Sequence, residues 1–280
     1  MMQFETILLD YAQTISDIIG SVKVKQFWAP VSDSKKTMRT GFGMVLLDEG
    51  SAGLYYARLG NDQEFLSRRL KTLEIEGTDA LEVAQYYREN DDNLRSIGLA
   101  TVNAMTSALF RFCGYRPHQT DNLFGGLELT SKRCLGMVGY FAPLAKIASR
   151  RGVKVFVLEK KAELVKEEEN IIVSLKPNVL ADCEHILCTG ATALNGSFYQ
   201  TLSVLPEKAS IILTGPTVGF PPDAVLSNKI RAMAGIWIED GEYALQCIKQ
   251  GIPMKQYCTK TLITDDNYPG LNSLIRSIKA

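Results

Sequence analysis

Five short apolar runs in the second half of the chain limit what it can become. They are CLGMVGY (134–140), KVFVLE (154–159), HILCTG (185–190), SIILTG (210–215) and AGIWIED (234–240). Each is continuous rather than alternating, so each strand must be buried on both faces. That pattern belongs to a parallel sheet covered by helices. Helix-like stretches separate the runs, as parallel crossovers require. A sixth run, QYCTKTLIT (256–264), is placed to close the sheet.

The first half has a different texture. Phe4, Ile7, Leu8, Tyr11, Ile15 and Ile18 recur at three and four residues and predict an amphipathic helix. Three strands follow. Val22, Val24, Gln26 and Trp28 alternate with Lys23, Lys25 and Phe27, and FGMVLL (42–47) joins GLYYA (53–57) through the turn DEGS. Helical segments are expected from about residue 63 to 112. Thr78 or Asp79 would cap one, and Asp91 or Asp92 the long last one. Strands first and helices after make an α+β unit. Residues 113–133 are polar, hold Pro117, Gly125 and Gly126, and read as the link between two domains.

Composition removes several classes of function. The 280 residues carry 31 basic and 31 acidic side chains, and a chain without net charge lacks the basic surface that nucleic acid or an acidic membrane selects. No apolar run reaches the roughly 18 residues of a membrane span. The start, MMQFETILLDYAQTISDIIG, lacks the features of a signal peptide. Six scattered cysteines without a C-x-x-C pair suggest reduced thiols and a cytoplasmic protein.

The turn after the first run tests for a dinucleotide. Three glycines would make it tight, admit pyrophosphate and pack the helix. Here Gly139 serves the first purpose only. Phe141 occupies the second glycine position, where its ring obstructs pyrophosphate, and Tyr140 sits between them. Pro143 suits the first helical position, where its missing N–H is not needed. Glu159 ends the second strand, where an acid binds ribose hydroxyls or is merely solvated beside Lys160 and Lys161.

Three further strand ends share a neutral, glycine-bearing character. They supply Thr189, Gly190, Thr192, Asn195 and Gly196, then Thr214, Gly215, Pro216 and Thr217, then Glu239 and Asp240. The carboxyl ends of parallel strands border the ligand crevice of an open sheet. Exposed glycine amides and helix starts there would cradle a polar or anionic ligand. The same residues also make ordinary turns and caps. The helix SIGLATVNAMTSAL (96–109) is crowded with small residues, which allows close backbone packing. Its Asn103, if buried, must be hydrogen-bonded; it either locks a neighbouring loop or faces a ligand.

Catalytic and metal candidates are sparse. His118 and His185 form no Ser-His-Asp order, and GATALNGS is not a nucleophile elbow. Cys183, His185 and Cys188 make a C-x-H-x-x-C. On a strand Cys183 and His185 point one way and Cys188 the other, a poor tetrahedron for zinc. Glu159, Glu239 and Asp240 offer oxygens to a hard cation only if they converge. The run EKKAELVKEEEN (159–170) reads as a solvated face.

Taken together, GLATVNAMTSALF, DNLF, LGMVGYFAPL, CTGATALNGSF and LTGPTVGFPPDAV resemble the "putative heavy-metal chelation" family. The resemblance implies an α+β domain similar to the enolase N-terminal fold at 1–113. It implies a Rossmann-like α/β domain at 114–280, with a site between the two and a homodimer. Carried over residue by residue, the site would use Asn103, Gly139, Tyr140, Phe141, Pro143, Thr189, Gly190, Asn195, Gly215, Pro216 and Thr217. None of these is a strong soft-metal ligand. An organic chelator, a metal chelate or a related metabolite suits them better than a bare ion. Two other readings stand beside it. One is an enzyme using a nucleoside cofactor such as S-adenosylmethionine, with Glu159 on the ribose. The other is an assembly partner whose pocket is filled by Tyr140, Phe141 and Phe220.

Overall fold

The opening helix α1 (Phe4–Ile19) turns Phe4, Leu8, Leu9, Ala12 and Ile15 inward, while Ile7, Tyr11 and Ile18 flank that stripe. The computed structural model describes residues 3–30, 41–57, 73–122, 124–127, 129–131, 133–194, 196–227 and 229–278. Strands β1 (Val24–Trp28), β2 (Phe42–Leu47) and β3 (Ala52–Tyr56) form an antiparallel sheet in that order. A register shift between Val24 and Gln26 interrupts the alternation expected from residue 22. Asp79 caps α2 (Ala80–Ala84) by accepting the Leu81 N–H, and Asp91 caps α3 (Asp92–Phe112) by accepting from Asn93 and Leu94. The helical stretch expected over residues 63–72 lies outside the described residues.

The small residues of α3 bring backbone against backbone. A Cβ on Gly53 of β3 would sit 1.9 Å from the Ala100 carbonyl oxygen. Only glycine permits so close an approach of strand and helix.

The second half builds one eight-stranded sheet. Its strands are β4 (Leu135–Val138), β5 (Val155–Leu158), β6 (Lys166–Glu168), β7 (Ile171–Ser174), β8 (His185–Thr189), β9 (Ser210–Thr214), β10 (Ile230–Trp237) and β11 (Thr259–Thr264). The spatial order is β11-β10-β9-β8-β4-β5-β7-β6, parallel from β10 through β7 with antiparallel strands at both edges. Numbered along the chain, the parallel strands run 3-2-1-4-5-6, the doubly wound order, which reverses between β4 and β8. Its helices are α4 (Ala142–Arg150), α5 (Ala191–Leu194), α6 (Phe198–Val204), α7 (Gly241–Lys249) and α8 (Leu271–Ile278).

Alternation along the strands divides two cores. Val138, Ile186, Cys188, Ile211 and Leu213 face α1 and α3. Leu135, Met137, Leu187 and Ile212 face α4. A third core joins Met44, Leu46 and Leu54 of the small sheet to Ala244, Leu245 and Ile248 of α7. The three-stranded sheet is thus covered from both sides, once by a helix from the far half of the chain.

The structure adds detail to three stretches. The run 159–170, read as a solvated face, has no buried residue but contains β6; β7 follows it, with Ile171 and Val173 buried in the α4-side core. β10 begins at Ile230 rather than 234, because a bulge between Ile230 and Ala232 turns Arg231 out to solvent. The polar stretch 113–133, read as the link between two domains, is tied down along its length. Thr120 N–H donates to Lys260 and Leu262 N–H donates to His118, which ties it to β11, and Phe124 is buried beneath the sheet.

Candidate functional site

At the sheet's reversal the chain leaves β4 through Gly139, whose N–H donates to the Leu158 carbonyl at 2.9 Å. Tyr140 N–H then donates to Glu159 Oε2 at 2.9 Å, while Glu159 Oε1 accepts from Lys160 and Lys161 at 2.7 and 3.3 Å. Glu159 therefore clips the turn. Phe141 caps α4, and Pro143 is the second helical residue rather than the first. Both positions lie in the turn that lacks intrahelical donors' partners, so the proline is still tolerated. Tyr140 and Phe141 pack toward the α4-side core, whereas Phe220 is buried on the other face, 5.6 Å from the Phe4 ring. The three rings do not fill one pocket.

The glycine amides expected to be exposed are engaged by the sheet. Gly190 N–H donates to Thr214 at 3.0 Å and Gly215 N–H donates to Ala234 at 3.1 Å. Like that of Gly139, each bond extends the parallel ladder by one rung, which leaves no free N–H at these three positions for an anion. The bends nevertheless meet. A Cβ on Gly139 would lie 3.0 Å from Thr189 Cγ2, and one on Gly190 would lie 2.6 Å from Thr217 Oγ1. Asn103 Nδ2 donates to the Thr217 carbonyl at 3.0 Å, so this asparagine locks the loop after β9 to α3. Its Oδ1 is buried without a partner among the described residues. Beside it lies a cavity of about 40 Å³, lined among others by Pro216, Gly219, Trp237 and Thr261. A space of that size suits one or two ordered waters, not a metabolite.

Glu239 lies near that cavity, at the exit of β10. Its carboxylate accepts from Trp237 Nε1 and pairs with Arg116, both at 2.7 Å. Asn195 falls outside the described residues.

The roomier space opens beside the bends rather than among them. It is a cleft of about 420 Å³. Gln3, Glu5 and Thr6 from the start of α1 line one wall, with Arg88, Asn90 and Arg95 around the start of α3. Ala193, Gly196, Phe198 and Tyr199, which follow β8, line the other. Two arginines against one glutamate leave the lining one positive charge. Arg95 is held in place: Nε donates to Leu194 at 2.8 Å, Nη2 pairs with Glu5 Oε1 at 2.5 Å, and the guanidinium lies 5.3 Å from the Tyr87 ring centroid. Tyr87 donates to the Ala193 carbonyl at 2.7 Å, and burial pushes its phenol well above the usual range. Arg88 is exposed and reaches only Gln85, at 3.3 Å, among the described residues. The start of α1 has no side-chain cap, so its positive end also faces this space.

Sequence reasoning pointed to the strand ends and overlooked this arginine wall. The available signal was Arg95, a cation in the first turn of α3, immediately before the run of small and apolar residues that begins at Ser96. Among the described residues, no three His, Cys, Asp or Glu side chains are placed to hold a metal ion, and no helix is long and apolar enough to cross a membrane.

A family profile described as "putative heavy-metal chelation" matches residues 122–264, and a second profile of the same description matches 37–106. The chain belongs to that family. Two solved structures of the family, both of proteins of unknown function, share its fold. One, from Pyrococcus horikoshii, is 18% identical, with a TM-score of 0.70 over 93% of this chain and 99% of its own. The other, from Desulfitobacterium hafniense, is 16% identical, with a TM-score of 0.68 over the same shares. No curated protein matches the chain.

Proposed function

We propose that the chain binds a small anionic ligand, a carboxylate-bearing metabolite or its metal chelate, in the 420 Å³ cleft. The observation that carries this reading is the exposed head of Arg88 beside the anchored Arg95, facing the start of α1. A planar guanidinium grips carboxylate or phosphate with two parallel bonds, and the cleft's volume is that of a small-molecule site. Among the described residues its lining offers no thiolate or imidazole, so a soft metal would arrive already complexed. This fits the family description's hint of metal handling. The two walls come from opposite sides of the proposed domain division, 1–113 and 114–280, which makes the cleft an interdomain site. Dimerisation, implied by the family resemblance, is a separate proposal that light scattering would test.

Calorimetric titration with citrate, zinc citrate and free zinc tests the ligand class, using Arg88→Ala and Arg95→Lys. Citrate and its chelate should bind the parent chain and lose roughly tenfold or more on Arg88→Ala, as loss of a charged hydrogen bond implies. Equal binding by parent and both variants would place the site elsewhere.

A further inference from the structure

At the opposite end of the sheet from the cleft, two thiols meet. Cys134 immediately precedes β4 and Cys183 lies two residues before β8, and these strands are parallel neighbours with Leu135 opposite His185. Cys134 Sγ lies 3.4 Å from Cys183 Sγ and 3.1 Å from the Asp182 carbonyl oxygen. Cys183 is buried, while Cys134 is partly exposed at the rim. Both thiols are free.

That spacing is close to what a tetrahedral soft cation needs. With Zn–S bonds of about 2.3 Å and a tetrahedral angle, two thiolates stand about 3.8 Å apart. The pair would therefore open by only a few tenths of an ångström. Thiolates select zinc, cadmium and similar ions over magnesium or calcium. His185 does not complete the set: it shares a face with Leu187 on the α4 side, whereas Cys183, which precedes β8 rather than lying on it, packs on the other face with Cys188, contrary to the expectation that Cys183 and His185 point one way. No third His, Cys, Asp or Glu joins the pair among the described residues. Two coordination positions are thus left to water or to a small exogenous ligand.

We propose that Cys134 and Cys183 form a two-thiolate site for a thiophilic divalent cation, open on the Cys134 side. Uptake replaces two S–H protons by one divalent ion and releases both protons to solvent, with no change of oxidation state. A thiol must lose its proton to ligate, so the ion competes with protons and binding should strengthen as pH rises. This site does not rest on the cleft reading.

The test uses the full chain, reduced and stripped of metal, titrated with cadmium chloride and followed by sulfur-to-cadmium charge-transfer absorption. The parent chain should saturate at one ion per chain, with two protons released. Cys134→Ser and Cys183→Ala should each lose the band or weaken binding by roughly tenfold or more; Cys247→Ala should behave as the parent. Because Cys183 is buried and its variant risks misfolding, the rim variant Cys134→Ser decides alone if its circular dichroism is unchanged. A parent chain without the band, or a Cys134→Ser chain titrating like the parent, overturns the proposal. Zinc citrate titration of the Cys134→Ser chain keeps this result separable from the cleft, where Arg88→Ala is the deciding change.

Discussion

Replacing Gly53 by alanine tests how the small sheet is joined to α3. The added Cβ would lie 1.9 Å from the Ala100 oxygen and 2.9 Å from the Ala104 nitrogen, where ordinary contact begins at 3.4 Å. Both obstacles are backbone, so no side-chain rotation relieves them. Strand and helix must part by about 1.5 Å at the first contact, in the middle of a 21-residue helix. Overpacking a core costs about 1–3 kcal/mol when side chains absorb it. Here none can, so a loss of at least about 3 kcal/mol is expected, or roughly 6–12 °C in Tm for a chain of this size. Asn103 lies one turn beyond Ala100, so its bond to the Thr217 carbonyl should weaken as α3 retreats. Urea unfolding followed by circular dichroism measures the first effect, and hydrogen exchange at residues 214–219 the second. Ala100→Gly should not rescue the variant, because the clashing oxygen remains. A Gly53→Ala chain within about 0.5 kcal/mol of the parent, the usual range of an inconsequential substitution, would refute the close packing.

Other outcomes follow from the same contacts. Arg111 Nη2 donates to the Ile238 and Glu239 carbonyls at 2.5 and 2.8 Å, beneath a ring contact with Trp237 at 4.8 Å; Arg111→Ala should cost about 2 kcal/mol and shift Trp237 emission, which denaturation read by fluorescence would show. Burial and the Arg133 guanidinium hold His185 below its ordinary value. The unfolded chain therefore takes up a proton first, near pH ~6.5, and stability should be full above that value and fall as pH drops toward the folded value. His185→Gln should flatten this dependence of the urea midpoint, and an unchanged slope would sink the assignment. Burial pushes the Cys188 and Cys258 thiols up to about 12, so maleimide at mildly alkaline pH should leave both unlabelled in the native chain and label them after unfolding, as peptide mass mapping would report.

The parallel sheet was legible because Leu187, Ile212 and their neighbours are buried on both sides, which writes itself into the sequence as unbroken apolar runs. β7 was missed for a related reason. Its Ile171 and Val173 follow the charged stretch of β6, and an edge pair with one wet face looks like a loop. Helix caps at Asp79 and Asp91 could be read because capping is local chemistry. The site was only half legible. Asn103 was singled out correctly as a buried amide in need of a partner, and it found one in Thr217. The glycines after β4, β8 and β9 advertised free amides, but sheet register, which no single loop reveals, had already engaged them. Arg88 and Arg95 face a cleft formed only when α1 and the segment after β8 come together, a non-local event with no sequence period.

α7 closes over the back of the three-stranded sheet, bringing Ala244, Leu245 and Ile248 onto Met44, Leu46 and Leu54. During synthesis those three side chains emerge about two hundred residues before their cover does. A nascent chain halted near residue 113 therefore carries an oily, half-clad ribbon that it cannot bury by itself. Fragments cut there should clump unless a chaperone shields them, and the two halves should recover solubility when mixed.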